Sequence, residues 1–414
     1  MTTGDMLHPA TRHEPIAVTG LGMVSPIGFG RQQFWAALCA GQSAIAPIER
    51  FPVPAAGPRL GAEVRNFAAR EFIASAHLRR MDNLSRMVVA ASRMAIDDAR
   101  LPLSRTPPER VGVVVGSMLG DISESAVFLE RVFSKGPAAA SPMLFPNLVL
   151  NAAASYVSME LGITGINLTV AQGETCGEQA ILLACEQLRA GRAEVMLAGG
   201  GDELAAIVFE SYRLARALSG QRGGTEWSSP YDAGRNGIVL GEGAAMLLLE
   251  PQARARARGA TVYALVEDHV MFGVPSRAYD WPATGWPALQ PLQRLVGTQP
   301  VDLVYGAGNS SRQLDGCELE VFAALFGART PDVYLTSLKG AVGHFGGAGA
   351  LSAAAACLAL HEQTVPPLCN LRTPARGARL RHAAPQARAH PIERALVSGW
   401  ARGGAGAALL LRKH

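Results

Sequence analysis

The sequence predicts an α/β protein whose sheets are buried on both faces, and three observations carry that prediction. Short apolar runs alternate with longer Ala- and Leu-rich stretches along the whole chain, the signature of strands alternating with helices. The 414 residues are 49% hydrophobic and 17% charged, which supplies a large core and leaves no room for a disordered reading. No Pro/Ser-rich linker, long charge run or low-complexity tract interrupts the chain, so two tightly fused halves are expected rather than separate domains.

The strand candidates of the first half are "IAVTGLG", "VGVVVGS", "INLTV", "EVMLAGG" and "AAMLLLE"; those of the second are "VYALVED", "LVYGAG", "VYLTSL" and "ALLLRK". Most are continuous apolar runs rather than alternating ones, as expected of strands covered on both faces. Between them lie two helices with a weak internal echo, "CGEQAILLACEQL" and "GGAGALSAAAACLAL". Both are crowded with Ala, Gly and Cys, whose small side chains let helix backbones approach, so the two are expected to pack together at the centre of the molecule. A duplicated architecture follows, with halves 1–255 and 256–414 meeting near residues 250–260.

Several classes are excluded or made unattractive. No stretch approaches the roughly 20 apolar residues of a membrane helix, and "MTTGDMLHPATRHEP" has no signal-peptide core, so a cytoplasmic protein is expected. The cysteines at 39, 176, 185, 317, 357 and 369 show no metal-ligand pairing and no disulfide framework. Most read as small core residues, and no metal is called for. The net charge of +4 is too small to imply nucleic acid. Arginine is concentrated at 64–86 and 370–391; such runs are usually solvated surface, and the functional reading is docking of an acidic partner.

The stretch "VAQGETCGEQAILLACEQL" (170–188) resembles a device for presenting one side chain at the start of a buried helix. Glu174 stands there, with Cys176 two residues on. Read in isolation, Glu174 is equally an ordinary first-turn acid favoured by the helix dipole.

Five segments carry a family resemblance: "VTGLGMVSPIG" (18–28), "FWAALCAGQSAI" (34–45), "SPYDAGRNGIVLGEGAAMLLLE" (229–250), "SLKGAVGH" (337–344) and the terminal "ALVSGWARGGAGAALLLRK". Together they resemble the β-ketoacyl-acyl-carrier-protein synthases of the elongating type. The resemblance implies the duplicated thiolase fold, layered α-β-α-β-α with two central mixed sheets. It also implies a chemistry in which a cysteine thiolate takes an acyl chain and two histidines assist decarboxylation of a malonyl unit, with no cofactor.

Residue by residue, that chemistry is altered. Counting back from "GRAEVMLAGG" (191–200) places the family cysteine on Glu174, while Cys176 would need a two-residue slip. Asp315 and Glu318 set the register of the first histidine segment and leave Ala307 at the histidine position. The second histidine is kept as His344 and the family lysine as Lys339, which is expected to offer Glu174 a counter-charge. The family's gating loop reads "ARGGAG" (401–406) after Trp400; Arg402 replaces its phenylalanine, Gly403 and Gly404 remain, and Gly406 stands for its asparagine.

A glutamate cannot serve as the acyl carrier, because a carboxylate would give a short-lived mixed anhydride. The pattern is similar to that of the chain-length factor, the non-condensing subunit that forms a heterodimer with an active ketosynthase in type II polyketide synthases, with polyene-type systems the first expectation. The partners implied are that ketosynthase, through "INLTV", and an acyl carrier protein. Met118, Leu119, Phe128, Met143, Leu144 and Phe145 are the candidate tunnel residues, although apolar residues at helical spacing are more often plain core. With Ala307 in place, His344 is expected to be a hydrogen-bonded core histidine. The alternatives are a decarboxylase that makes starter units from malonyl carrier protein, and a solitary binding protein of the same fold.

Overall fold

The computed structural model describes residues 14–375, 380–383 and 386–414. Arg376 and Arg379 of the second arginine-rich stretch, and residues 1–13 of the N-terminal reading, lie outside the described residues. Ten strands build the framework. They are β1 (Ile16–Ser25), β2 (Val111–Gly116), β3 (Asn167–Val170), β4 (Val195–Asp202), β5 (Gly243–Pro251), β6 (Ala264–Gly273), β7 (Leu303–Tyr305), β8 (Tyr334–Thr336), β9 (Arg394–Trp400) and β10 (Ala405–Arg412). The helices that position the site are α1 (Asn83–Asp98), α2 (Ile122–Lys135), α3 (Ala152–Leu161), α4 (Cys176–Arg189), α5 (Ala206–Leu214), α6 (Trp286–Val296), α7 (Arg312–Phe326) and α8 (Ala348–Glu362).

The duplication is visible in the strand order. The first half runs β3-β2-β4-β5-β1 and the second β8-β7-β9-β10-β6, the same order with every number raised by five. Pairing direction repeats as well: β2 is parallel to β3 and β4, and β7 to β8 and β9. The β4–β5, β5–β1, β9–β10 and β10–β6 pairs are antiparallel. The two expected sheets are joined into one at their inner edges, where Ile16, Ala17 and Val18 of β1 pair with Val266, Leu265 and Ala264 of β6.

The continuous apolar strands are covered on both faces as their composition requires: β1, β2, β4 and β9 are buried throughout. Outside the first half, α1 packs on β1 and β5, starting at Asp82, whose carboxylate accepts the Ser85 N–H. The echoing helices α4 and α8 pack against each other and against strands of both halves. Their closeness depends on glycine, since a Cβ on Gly177 would fall 2.7 Å from the Ala350 nitrogen. The site lies where these two central helices begin. Among the described residues no helix is long and apolar enough to cross a membrane.

One face is conspicuously uncovered. Helix α2 has no buried residue, and Leu129, Phe133, Met143, Phe145 and Leu168 are exposed, Phe133 by 84%. Asn147 donates to Glu124 of α2 and accepts from Tyr156 of α3, and Asn167 of β3 donates to the Ala154 carbonyl of α3, so α2, the following loop, α3 and β3 form one connected surface. Strand β3 pairs only with β2, which leaves its outer edge without a strand among the described residues.

Candidate active site

Glu174 sits in a single 3₁₀ turn, Gly173–Thr175, between the end of β3 and the start of α4. Gly173 takes φ +55° there, a left-handed conformation that favours glycine, and turns the next side chain inward. The Glu174 carboxylate is 5% exposed. Its Oε2 accepts the backbone N–H of Arg402 at 3.1 Å, and its Oε1 lies 3.7 Å from Arg402 Nε and 3.8 Å from His344 Nε2. The counter-charge expected from Lys339 is thus supplied by Arg402. Lys339 Nζ instead donates to the Ala307 carbonyl at 2.7 Å.

Burial alone would raise the Glu174 pKa, but His344 and Arg402 more than offset it and hold the carboxyl down to about 2. Burial, together with the Lys339 and Arg402 charges, pushes His344 down to about 4 despite Glu174 nearby. His344 is therefore neutral at pH 7 and Arg402 is the lasting cation of the pair. The expectation of a hydrogen-bonded core histidine is corrected by the structure. Both ring nitrogens of His344 lack hydrogen-bond partners among the described residues, and the ring is placed by packing between Tyr212 (6.2 Å between centroids) and Trp281 (6.0 Å). Its backbone is fixed by Val239 and Gly241, whose groups pair with its N–H and carbonyl.

Ala307, where the resemblance expects a histidine, takes part through its backbone alone. Its N–H donates to Glu318 and its carbonyl accepts from Lys339. Glu318 also accepts from Tyr231 and Ser398, and Asp315 accepts the N–H groups of Tyr231 and Asn309. Burial raises Glu318 to about 7, and lowers Lys339 against the pull of Glu178, Glu318, Glu174 and Asp315. Cys176, two residues past Glu174, is fully buried; burial and the neighbouring Asp202, Glu178 and Glu174 push its thiol well above the usual range. It stays protonated and has no access to a thioester.

The loop after Trp400 is tied down rather than open. Trp400 is buried, donates to Ser398 and packs edge-on against Phe272 at 5.1 Å. Gly403 donates to the Asp280 carbonyl and Gly404 accepts from Val274 and donates to Ala401. A Cβ on Gly404, at φ +88°, would meet the Val274 oxygen at 1.7 Å, and one on Gly406 would strike the Phe272 ring at 1.9 Å. The Arg402 guanidinium lies 4.3 Å above the Tyr212 ring and 5.1 Å from that of Trp281.

Beyond Tyr212 and His344 is a cavity of about 20 Å³, lined by Met118, Leu119, Leu204, Leu240 and Phe345 among others, room for about one water. Its floor is set by Asp202, which accepts from Ser117 Oγ and the Met118, Leu119 and Gly347 N–H groups. Of the six candidate tunnel residues, only Met118 and Leu119 reach this space. Phe128 and Leu144 are half-buried, and Met143 and Phe145 are exposed on the uncovered face; Phe128 belongs to α2, which has no buried residue, and the other three to the segment that follows it. Tyr212, Trp281, Asp202 and Glu178 were not legible as site residues. Trp281 lies in an irregular loop and Asp202 at a strand end, where periodicity gives no signal. Glu178 alone offered one, as a charge on an otherwise apolar helix face.

With this geometry in place, the comparisons are direct. The model of the beta-ketoacyl synthase N-terminal domain matches residues 13–255, and that of the C-terminal domain residues 292–372. The 3-oxoacyl-[acyl-carrier-protein] synthase 2 of Coxiella burnetii is 31% identical over 96% of this chain and 98% of its own, and that of Vibrio harveyi 32% over the same shares. Among solved structures, the ishigamide ketosynthase/chain length factor superposes with a TM-score of 0.90 at 26% identity, covering 97% of this chain and all of that one. A type II PKS acyl-carrier protein in complex with its ketosynthase, AntDE:AntF, gives 0.88 at 25%, again over 97% and 100%. The strand order, the two central helices and the full-length matches agree: the chain belongs to the beta-ketoacyl synthase family and has its thiolase-like fold.

Proposed function

We propose that the chain is a non-condensing chain-length-factor subunit that pairs with an active ketosynthase in a type II polyketide system of polyene type. The observation that carries this reading is the Glu174 carboxylate at the helix entrance where the family resemblance puts a cysteine, held as an anion by Arg402. An anionic carboxylate cannot carry an acyl chain as a thioester, and Ala307 offers no imidazole. The likeness to a ketosynthase/chain length factor structure supports the same assignment.

The uncovered face supports a partner of the same fold. Leu129, Phe133, Met143, Phe145 and Leu168 surround the open edge of β3, and exposed strand edges and apolar patches of this kind are sites of association. Exposed Arg65, Arg70, Arg79 and Arg80 suit an acidic carrier protein. The starter-unit decarboxylase is the weaker alternative, because Ala307 removes one of the two imidazoles that reaction uses.

The test is co-expression with the ketosynthases encoded beside it, followed by size-exclusion chromatography and native mass analysis. A one-to-one heterodimer is expected. A chain that stays monomeric, or pairs only with itself, at micromolar concentration with each of them ends this reading.

A further inference from the structure

Helix α2 buries no residue, so apolar packing contributes little to holding it, and polar contacts at its first turn carry the attachment. Asp121 caps the helix, its Oδ1 accepting the Glu124 N–H at 3.0 Å, and Glu203, just past β4, reaches over to accept the Ser123 N–H at 2.9 Å. Glu124 in turn accepts from Asn147 of the following loop at 3.0 Å. Two carboxylates thus sit on adjacent N–H groups of one helix. Both belong to buried residues, Asp121 at 5% and Glu203 at 9% exposure, yet Asp121 Oδ2 has no hydrogen-bond partner among the described residues. From this geometry we infer that Asp121 and Glu203 hold one proton between them, and that this proton fastens the start of α2, and with it the uncovered face, to the body of the molecule.

The surrounding charges leave no other way to neutralise the pair. Asp82, which caps α1, and Glu124 face Asp121, while Asp82 and Glu242 face Glu203. Asp202, next to Glu203 in the chain, is turned onto Ser117 and the Met118, Leu119 and Gly347 N–H groups. Of the cations on this side, Arg50 is paired with Glu242, and Arg80 is exposed beside Tyr156. No arginine, lysine or histidine among the described residues forms an ion pair with Asp82, Asp121, Glu124 or Glu203. A helix N-terminus offers roughly half a positive charge, which suits one carboxylate and not two beside further acids. An ionised Asp121 would also strand a buried oxygen without a donor, a cost that a protonated Oδ2 avoids by donating to Glu203. Burial, reinforced by Asp82, Glu203 and Glu124, pushes Asp121 up to about 8, and burial raises Glu203 as well.

When α2 lifts away, Asp121 returns to its ordinary 3.8 and releases the proton. The proton's hold is therefore complete below pH 3.8, erodes as pH rises and is gone above about 8. One proton corresponds to about a tenfold change in the opening equilibrium per pH unit. The device regulates the face assigned above to the partner and rests on that reading for its use, but the test needs no partner, so its failure would leave the pairing untouched.

Hydrogen exchange of the 125–128 amides is followed in the isolated chain between pH 5 and pH 9, corrected for the intrinsic rate, with the acid-free helix α6 as internal reference. Protection of α2 is expected to fall at least tenfold between pH 6 and pH 8 and to level off above that, while α6 does not follow. Asp121→Asn keeps the cap oxygen and turns a permanent N–H toward Glu203, so it is expected to hold α2 at its low-pH protection throughout. Glu203→Gln, which donates from the other side, is expected to do the same. In the infrared, a protonated-carboxyl carbonyl band that titrates with a midpoint of about 8 is expected in the wild type and absent from Asp121→Asn. Unchanged α2 protection between pH 6 and pH 8, an undiminished slope in both variants, or no such band in the wild type would each overturn the inference.

Discussion

The Arg402 N–H donates to Glu174 Oε2 at 3.1 Å across 228 residues of sequence. It joins the two positions at which the family resemblance leads one to expect a cysteine nucleophile and a gating phenylalanine. Each substitution makes sense of the other. A buried carboxylate needs a cation, and a buried arginine needs an anion.

The purified chain is therefore expected to form no acyl-enzyme. Intact-mass measurement after incubation with an acyl thioester shows no adduct, and stable acylation of Cys176 would contradict both its burial and its raised pKa.

Restoring the thiol alone is not expected to restore condensation. Glu174→Cys still lacks the imidazole at Ala307 and keeps Arg402, now without its counter-ion. General acid–base assistance contributes about 10²- to 10⁴-fold, so the variant should condense at least about 100-fold more slowly than the partner ketosynthase. A rate within tenfold of that partner would show that Ala307 and Arg402 matter little.

Acid should unfold the wild type partly through Glu174. Its folded pKa of about 2 lies below the ordinary 4.5, so its contribution is complete above pH 4.5 and is lost as pH falls towards 2. The shift corresponds to about 3 kcal/mol. Glu174→Gln lacks this dependence, and the stability gap between it and the wild type should narrow by that order between pH 4.5 and 2 in urea titrations.

Glu178 should behave in the opposite sense. It is wedged against Gly349 and Gly399, its Oε2 has no partner among the described residues, and burial raises it to about 7. A raised carboxyl stabilises the fold below pH 4.5 and loses that contribution as pH rises through 7. Glu178→Gln, which imitates the protonated form, should gain on the wild type by up to about 3 kcal/mol between pH 5 and pH 8. A gain that is the same at both values would mean that Glu178 does not titrate in the folded state.

The legibility of these features follows from their physics. The strands and the two small-residue helices could be read because burial on both faces writes continuous apolar runs, and close helix packing demands Gly177 and its Ala- and Gly-rich partner. Glu174 and His344 were expected in one site from flanking segments that keep family register, and they lie 3.8 Å apart. The joining of the sheets through Ile16–Val18 could not be read, since it rests on three residue pairs. Nor could the Glu174–Arg402 pairing, which depends on where a loop folds back; the family resemblance pointed to Lys339 instead. The surface placement of Met143 and Phe145 defeated the usual inference from apolar character to core.

That surface placement bears on chain length. Met118 and Leu119 face the small cavity beside Tyr212 and His344, whereas Phe128 and Leu144 are half-buried beside the uncovered face that carries Met143 and Phe145. If the partner's growing chain ends against this face, the residues that set its length are the latter four. Truncating a large side chain there leaves space that is only partly refilled, so Phe128→Ala or Leu144→Ala, assembled with the active partner, should lengthen the product by at least one two-carbon unit. Met118→Ala and Leu119→Ala open onto the small cavity beside Tyr212 and His344 rather than onto that face, and should leave it unchanged. Product masses from intact heterodimers decide the matter: no change across the four surface-side variants would mean this subunit does not measure the chain, and a shift confined to Met118 and Leu119 would mean the chain enters this subunit's own cavity after all.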